Sequence, residues 1–325
     1  MVKIEAAAHG AAGYVLVGAV YDRGIDRGLA MRSIDGTAWT ISEDPHLAGV
    51  YLTKVISSKG EFIAVGAMLT AGSEAVVLTS ADGVAWTLRY SGAGSGAYAI
   101  ATDQNLSLVI ASSDDGDRIL SSPDGKTWVD RRAASLGFSQ DAHLRGIAFL
   151  AGTWLLVGSI GNRAAAWRSA DGVAWHEMPL SGGTPIAGLE SVEVDQVVAN
   201  GDRAIAIGTD NPHCNTPSDE SCPRFGAGWV LAAGSSSWDR LPASSVLSQG
   251  WGGKMWASDV GFLYLGSDAL LESADGWTWR PIATDRNLGF LDALSIDGQR
   301  FVAAGLDVTS APRISNSFAI GTLIR

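Results

Sequence analysis

Two phrases in this chain set a carboxylate two residues from an imidazole: Asp44-Pro-His46-Leu-Ala-Gly49 and Asp141-Ala-His143-Leu-Arg-Gly146. An aspartate at that spacing can orient a histidine ring for general-base work. Two such pairs brought together could instead hold a metal ion, or contact a polar ligand. The bland alternative is a duplicated loop in which each histidine caps a turn. Trp251, in Ser248-Gln-Gly-Trp-Gly-Gly253, offers a ring that could stack on a sugar or cover a neighbouring sheet. Arg163 and Arg286, with Arg23, Arg27 and Arg224, are cations suited to bidentate pairing with a carboxylate. Asp268 adds a carboxylate of the kind that works in pairs in glycoside hydrolysis, although nothing in the sequence picks its partner. The acidic run Asp114-Asp115-Gly116-Asp117 spaces carboxylates like part of a calcium loop but lacks the downstream glutamate, and reads as a solvated turn. We expect no resident metal and no cofactor.

The elements that must position these residues come from a repeat. Five copies of Ser-x-Asp-Gly-x-x-Trp recur at residues 33–39, 80–86, 122–128, 169–175 and 273–279. A worn copy, Gly234-Ser-Ser-Ser-Trp238, keeps only the tryptophan. Upstream of each lies an apolar run ending in a small residue, at positions 18, 66, 111, 158, 208 and 266, and a seventh run ending at 305 has no copy after it. These runs are too short for helices and rich in Val and Ile, so they read as strands buried on both faces. Asp-Gly between apolar strands is a hairpin signal, because glycine accepts positive φ and aspartate bonds nearby amides. The repeat therefore predicts units of about four strands, each needing a neighbour on both sides. The expectation is all-β: one domain over residues 1–325, a seven-bladed β-propeller of four-stranded antiparallel blades. The blades fall at about 2–46, 49–92, 97–134, 145–180, 189–242, 253–284 and 291–325. No spare N-terminal strand remains to complete the last blade, which is expected to close with only three strands if it stays incomplete.

The phrase resembles the Asp-box, or BNR repeat, of the sialidase-like β-propellers. That resemblance implies that the boxes lie on hairpins between third and fourth strands, and that Asp35, Asp82, Asp124, Asp171 and Asp275 are structural. It also implies ligand binding at the opposite face, by loops leading into first strands and joining second to third strands. Asp44, His46, Asp141, His143, Arg163, Trp251, Asp268 and Arg286 are the candidates there. The sialidase machinery itself is not matched. Its arginine phrase near the first blade finds only Tyr21-Asp-Arg23-Gly-Ile, and none of the six tyrosines has an evident glutamate partner.

Composition narrows the partners. A net charge of −11 argues against nucleic acid, since phosphate binding needs clustered positive charge. The apolar stretches 6–20 and 146–162 fit strands in the repeat register, so no membrane span is expected. Cys214 and Cys222 share the longest polar loop and are expected to form a local disulfide. That bond would favour an extracytoplasmic or secreted location over a cytoplasmic one. The chain thus reads as a monomeric binding or scaffold module for a small molecule, glycan or protein. A glycosidase-like or other enzyme using Asp and His residues is the alternative.

Overall fold

The computed structural model describes residues 2–21, 25–69, 73–212, 224–249, 253–258, 261–266, 269–282, 291–297, 300–307 and 315–322. Among them one short helix, α1 (Val246–Gln249), and two 3-10 turns interrupt an otherwise all-β chain. Blade 1 is built from β1 (Val2–Gly10), β2 (Gly13–Tyr21), β3 (Ile25–Ser33) and β4 (Thr40–Ile41). Blade 2 follows with β5 (Val50–Ser58), β6 (Glu61–Met68), β7 (Glu74–Ser80) and β8 (Thr87–Ala93). Blade 3 comprises β9 (Gly96–Thr102), β10 (Ser107–Ser112), β11 (Arg118–Ser122) and β12 (Val129–Arg132). In blade 4 the strands are β13 (Ala142–Leu150), β14 (Thr153–Ile160), β15 (Arg163–Ser169) and β16 (His176–Met178). Blade 5 holds β17 (Leu189–Ala199), β18 (Arg203–Pro212), β19 (Phe225–Ala232) and β20 (Asp239–Arg240). Blade 6 holds β21 (Lys254–Ser258), β22 (Gly261–Leu265), β23 (Leu270–Ser273) and β24 (Arg280–Pro281). A seventh sheet has three strands, β25 (Leu291–Asp297), β26 (Arg300–Asp307) and β27 (Ser315–Thr322).

Within each sheet the strands lie in sequence order. The expected count of seven four-stranded blades is corrected: among the described residues six blades have four strands, and the seventh sheet has three. No Ser-x-Asp-Gly-x-x-Trp phrase follows residue 279, although blade 5 reaches a fourth strand after only the worn copy at 234–238. β1 is paired with β2 as the first strand of blade 1.

The chain divides into two compact units, Met1–Arg131 with Leu288–Arg325, and Arg132–Asn287. Cores lie between neighbouring sheets of each unit, and strand alternation decides which residue serves which core. On β6, Phe62 and Ala64 join Val15, Val17 and Trp86 between blades 1 and 2. The intervening Ile63 and Val65 join Val109 and Leu120 between blades 2 and 3. Ile4 and Leu16 meet Ala293 and Ala304 of the seventh sheet. In the second unit, Leu155, Val157, Trp229 and Trp238 fill the space between blades 4 and 5. Ile205, Ile207, Phe262 and Tyr264 fill that between blades 5 and 6.

Each repeated phrase closes the hairpin between third and fourth strands. In blade 4 the Gly172 N–H donates to Ser169 Oγ at 2.9 Å, and Ser169 donates to Asp171 Oδ1 at 2.9 Å. Asp171 Oδ1 also accepts the Val173 and Ala174 amides, both at 2.8 Å. Gly172 supplies the left-handed step, with φ 73°. Trp175 Nε1 then donates to Gly172 O at 3.2 Å, folding the indole over its own turn. Trp39, Trp128 and Trp279 do the same. Trp86 instead drops into the core between blades 1 and 2, at 2% exposure.

Candidate functional site

The two similar His-Asp phrases are built differently. Asp44 caps the 3-10 turn Pro45–Leu47: its Oδ1 accepts the His46 N–H and stands 2.9 Å from His46 Nδ1. Its Oδ2 accepts the Trp86 N–H of blade 2 at 2.8 Å. Burial opposes charge on Asp44, but the Trp86 and His46 amides and the His46 ring outweigh it, and the pKa is lowered. Ala48 then bridges Arg27 in β3, and Arg27 pairs with Glu43. The pair therefore lies just before β5, with Leu47 of the turn packed in one core with Val50 and Leu52. β4 is only two residues long, and the 3-10 turn follows it before β5.

His143, by contrast, is on β13, the first strand of blade 4, opposite Ser159, and is exposed. Among the described residues no side-chain hydrogen bond joins it to Asp141, whose carbonyl accepts the Gly161 N–H at 3.1 Å. His46 belongs to the first unit and His143 to the second. Arg163 grips Glu177 through both nitrogens at 2.6 and 3.2 Å, at the rim of a surface pocket of about 280 Å³ floored by Met178, Leu180 and Gly183. Trp251, Asp268, Arg286, Cys214 and Cys222 lie outside the described residues. Among the described residues, no group of three or more His, Cys, Asp or Glu is placed to hold a metal ion. In the acidic run, Asp115 is taken up by Arg118 and Ser113.

The structure also assembles polar groups that the sequence reading passed over. The first strand of most sheets carries a β-bulge, an extra residue squeezed out of the pairing register. The squeezed residues are Glu5, Thr53 and Tyr98 in the first three blades. Arg145 and Asp195 follow in blades 4 and 5, and Asp292 in the seventh sheet. Leu52 and Val55 consequently reach the same core although three residues apart, a spacing that a regular strand forbids. Opposite the bulge stands the small residue that ends each apolar run. A Cβ on Gly18, Gly66, Gly158 or Gly208 would lie 1.9 Å from the carbonyl of Lys3, Tyr51, His143 or Glu193, respectively. The signal was there to be found: each squeezed residue precedes the small residue by thirteen positions.

In the first unit these positions form a closed cluster. Tyr51 donates its hydroxyl to Glu5, Lys3 Nζ lies 2.6 Å from Glu5 Oε1, and Lys3 donates to Tyr51 at 3.2 Å. Tyr51 therefore does have a glutamate partner, which corrects the reading that no tyrosine had one. Its hydroxyl is pushed up to about 12 by burial and then by Glu5, so it holds its proton. Thr53 crosses to blade 3, donating to Ala97 O at 2.7 Å.

In the second unit the equivalent cluster is open. β13 and β17 run close together: a Cβ on Gly146 would lie 2.9 Å from Val197 N. Glu193 accepts from Ser191 at 3.2 Å and from Asn211 at 3.3 Å. Thr209 donates to Asp195 Oδ2 at 3.3 Å. Asp195 is reached by solvent, yet surrounding protein crowds its carboxyl. That burial, followed by the negative charge of Glu193, raises its pKa, while Thr209 and Arg145 pull the other way. Two carboxyl groups of unlike environment on one strand can divide the roles of proton donor and acceptor, or receive ligand hydroxyls.

No family model and no curated protein matches this sequence. Solved structures do resemble the fold. Hydrazine synthase from Kuenenia stuttgartiensis aligns with a TM-score of 0.59 at 10% identity, over 98% of this chain and 96% of that one. The β-propeller domain of the Trilobed protease from Pyrococcus furiosus gives 0.57 at 10% identity, over 100% and 98%. An α-L-arabinofuranosidase from Fusarium graminearum, solved with an iminosugar inhibitor, gives 0.56 at 9% identity, over 99% and 93%. At such identities the likeness establishes architecture and nothing finer: this chain is an all-β propeller of four-stranded antiparallel blades.

Proposed function

We propose that the chain is an Asp-box propeller working as a binding module, with ligand contacts supplied by the first strands at the end away from the repeated turns. One observation carries this reading. The glycine or alanine facing each bulge stays small, while the squeezed residue changes from Glu to Thr, Tyr, Arg and Asp. A position freed from the core and varied in charge is suited to recognition. The turn aspartates, in contrast, each spend Oδ1 on two amides of their own turn. The ligand class favoured is a small molecule or glycan, with an extracytoplasmic location and the Cys214–Cys222 bond as parts of the same proposal. The test is a screen of the full chain against a glycan array and a metabolite library. At least one of E5Q, R145M and D195N should weaken any hit, and D171N should not. Hits indifferent to all three bulge variants would remove the reading. Non-reducing peptide mapping checks the disulfide.

A second reading, a glycosidase-like enzyme, is favoured by the raised pKa of Asp195 beside Glu193. The arabinofuranosidase of similar fold has also been solved with arabinobiose, at a TM-score of 0.51. Release of p-nitrophenol from aryl arabinofuranosides, abolished in E193Q and D195N, would establish it.

A further inference from the structure

Resting on the binding-module reading, we propose that the open cluster on β13 and β17 is a saccharide site. In it Arg145 and His143 donate to the ligand, and Glu193 and Asp195 accept from adjacent hydroxyls. Among the described residues, the exposed side chains of Arg145 and His143 have no hydrogen bond or ion pair, although Arg145 lies within electrostatic reach of Asp195. A guanidinium offers five N–H donors and accepts nothing, so it asks the ligand for lone pairs. Across from it, each carboxyl is fixed through one oxygen and open through the other. Ser191 and Asn211 hold Glu193 Oε1, and Thr209 holds Asp195 Oδ2. The ligand must therefore bring acceptors and donors on one small frame.

Other ligand classes fit this demand poorly. A free anion satisfies Arg145 but meets Glu193 and Asp195 with like charge. A bare cation satisfies the carboxyls and leaves the guanidinium unserved. A nucleic acid meets a chain of net charge −11. Adjacent hydroxyls on a sugar ring each donate once and accept twice, matching both sides of the cluster together. The first unit has no such vacancy, because Lys3, Glu5 and Tyr51 consume one another.

The test is saturation-transfer NMR and calorimetry on the full chain. The probes are methyl α-L-arabinofuranoside, methyl β-D-galactopyranoside and their per-O-methylated forms. At least one free glycoside should bind and its O-methylated form should not. R145M and E193Q should each weaken binding about tenfold or more, with the thermal midpoint of each variant close to that of the parent. H143Q, which keeps a donor, should cost less than H143A. Glycoside binding left intact by both R145M and E193Q overturns this site, while loss in E5Q would leave the broader reading standing. Failure of every glycoside overturns the saccharide assignment. A blank result in the wider ligand screen as well removes both.

Discussion

The Ser80 hydroxyl accepts the Gly83 amide at 2.8 Å and donates to Asp82 at 3.1 Å, in a residue only 3% exposed. Ser80→Ala leaves a buried N–H without a partner and should destabilise by about 1–3 kcal/mol in urea unfolding. Ligand binding should not change. The same phrase recurs with the same bonds in the other four turns, and it was legible because every partner lies within three residues. The Lys3–Glu5–Tyr51 cluster was not, since Tyr51 meets Glu5 across 46 positions of chain. Nor was the fate of Asp44, whose amide partner Trp86 is 42 residues away. Adjacent letters reveal a turn; they are silent about which strand will lie alongside.

At the scale of the strand, the glycine facing each bulge is a steric requirement. Gly158→Ala puts a Cβ against the His143 carbonyl and should cost about 3 kcal/mol or more, or prevent folding. Gly152→Ala, in the adjoining hairpin, meets no atom within 4 Å and strains only its φ of 85°. It should cost about 1–2 kcal/mol by the same urea measurement. Trp86→Ala empties a fully enclosed site between blades 1 and 2 and should cost about 3–5 kcal/mol. Strand order was readable from the spacing of the apolar runs. The bulges were visible only as a constant thirteen-residue interval whose meaning depends on the pairing register.

Across the whole molecule, five turn carboxylates sit below their ordinary pKa. Asp35 and Asp124 are held at about 2 by turn amides, Thr37 and Thr127 foremost. A depressed folded pKa contributes its full stabilisation above the unfolded value of 3.8 and loses it as pH falls towards 2. The urea midpoint should therefore hold from pH 7 to 5, fall steeply between pH 4 and 2, and fall less in D35N and D124N. The propeller architecture was written in the repeat. The three strands described for the seventh sheet were not, since blade 5 also lacks a complete turn phrase and still has a fourth strand.

A squeezed residue contributes nothing to the pairing ladder and little to the apolar interior, so where it has no partner of its own, as at Arg145, its identity is free to drift. On the binding-module proposal, exchanging Arg145 for the Thr, Tyr or Glu found at the matching place in other blades should change ligand preference without altering how the protein melts. Selection working on this chain has a handful of independently adjustable letters, set in a frame that does not have to be rebuilt each time one is changed.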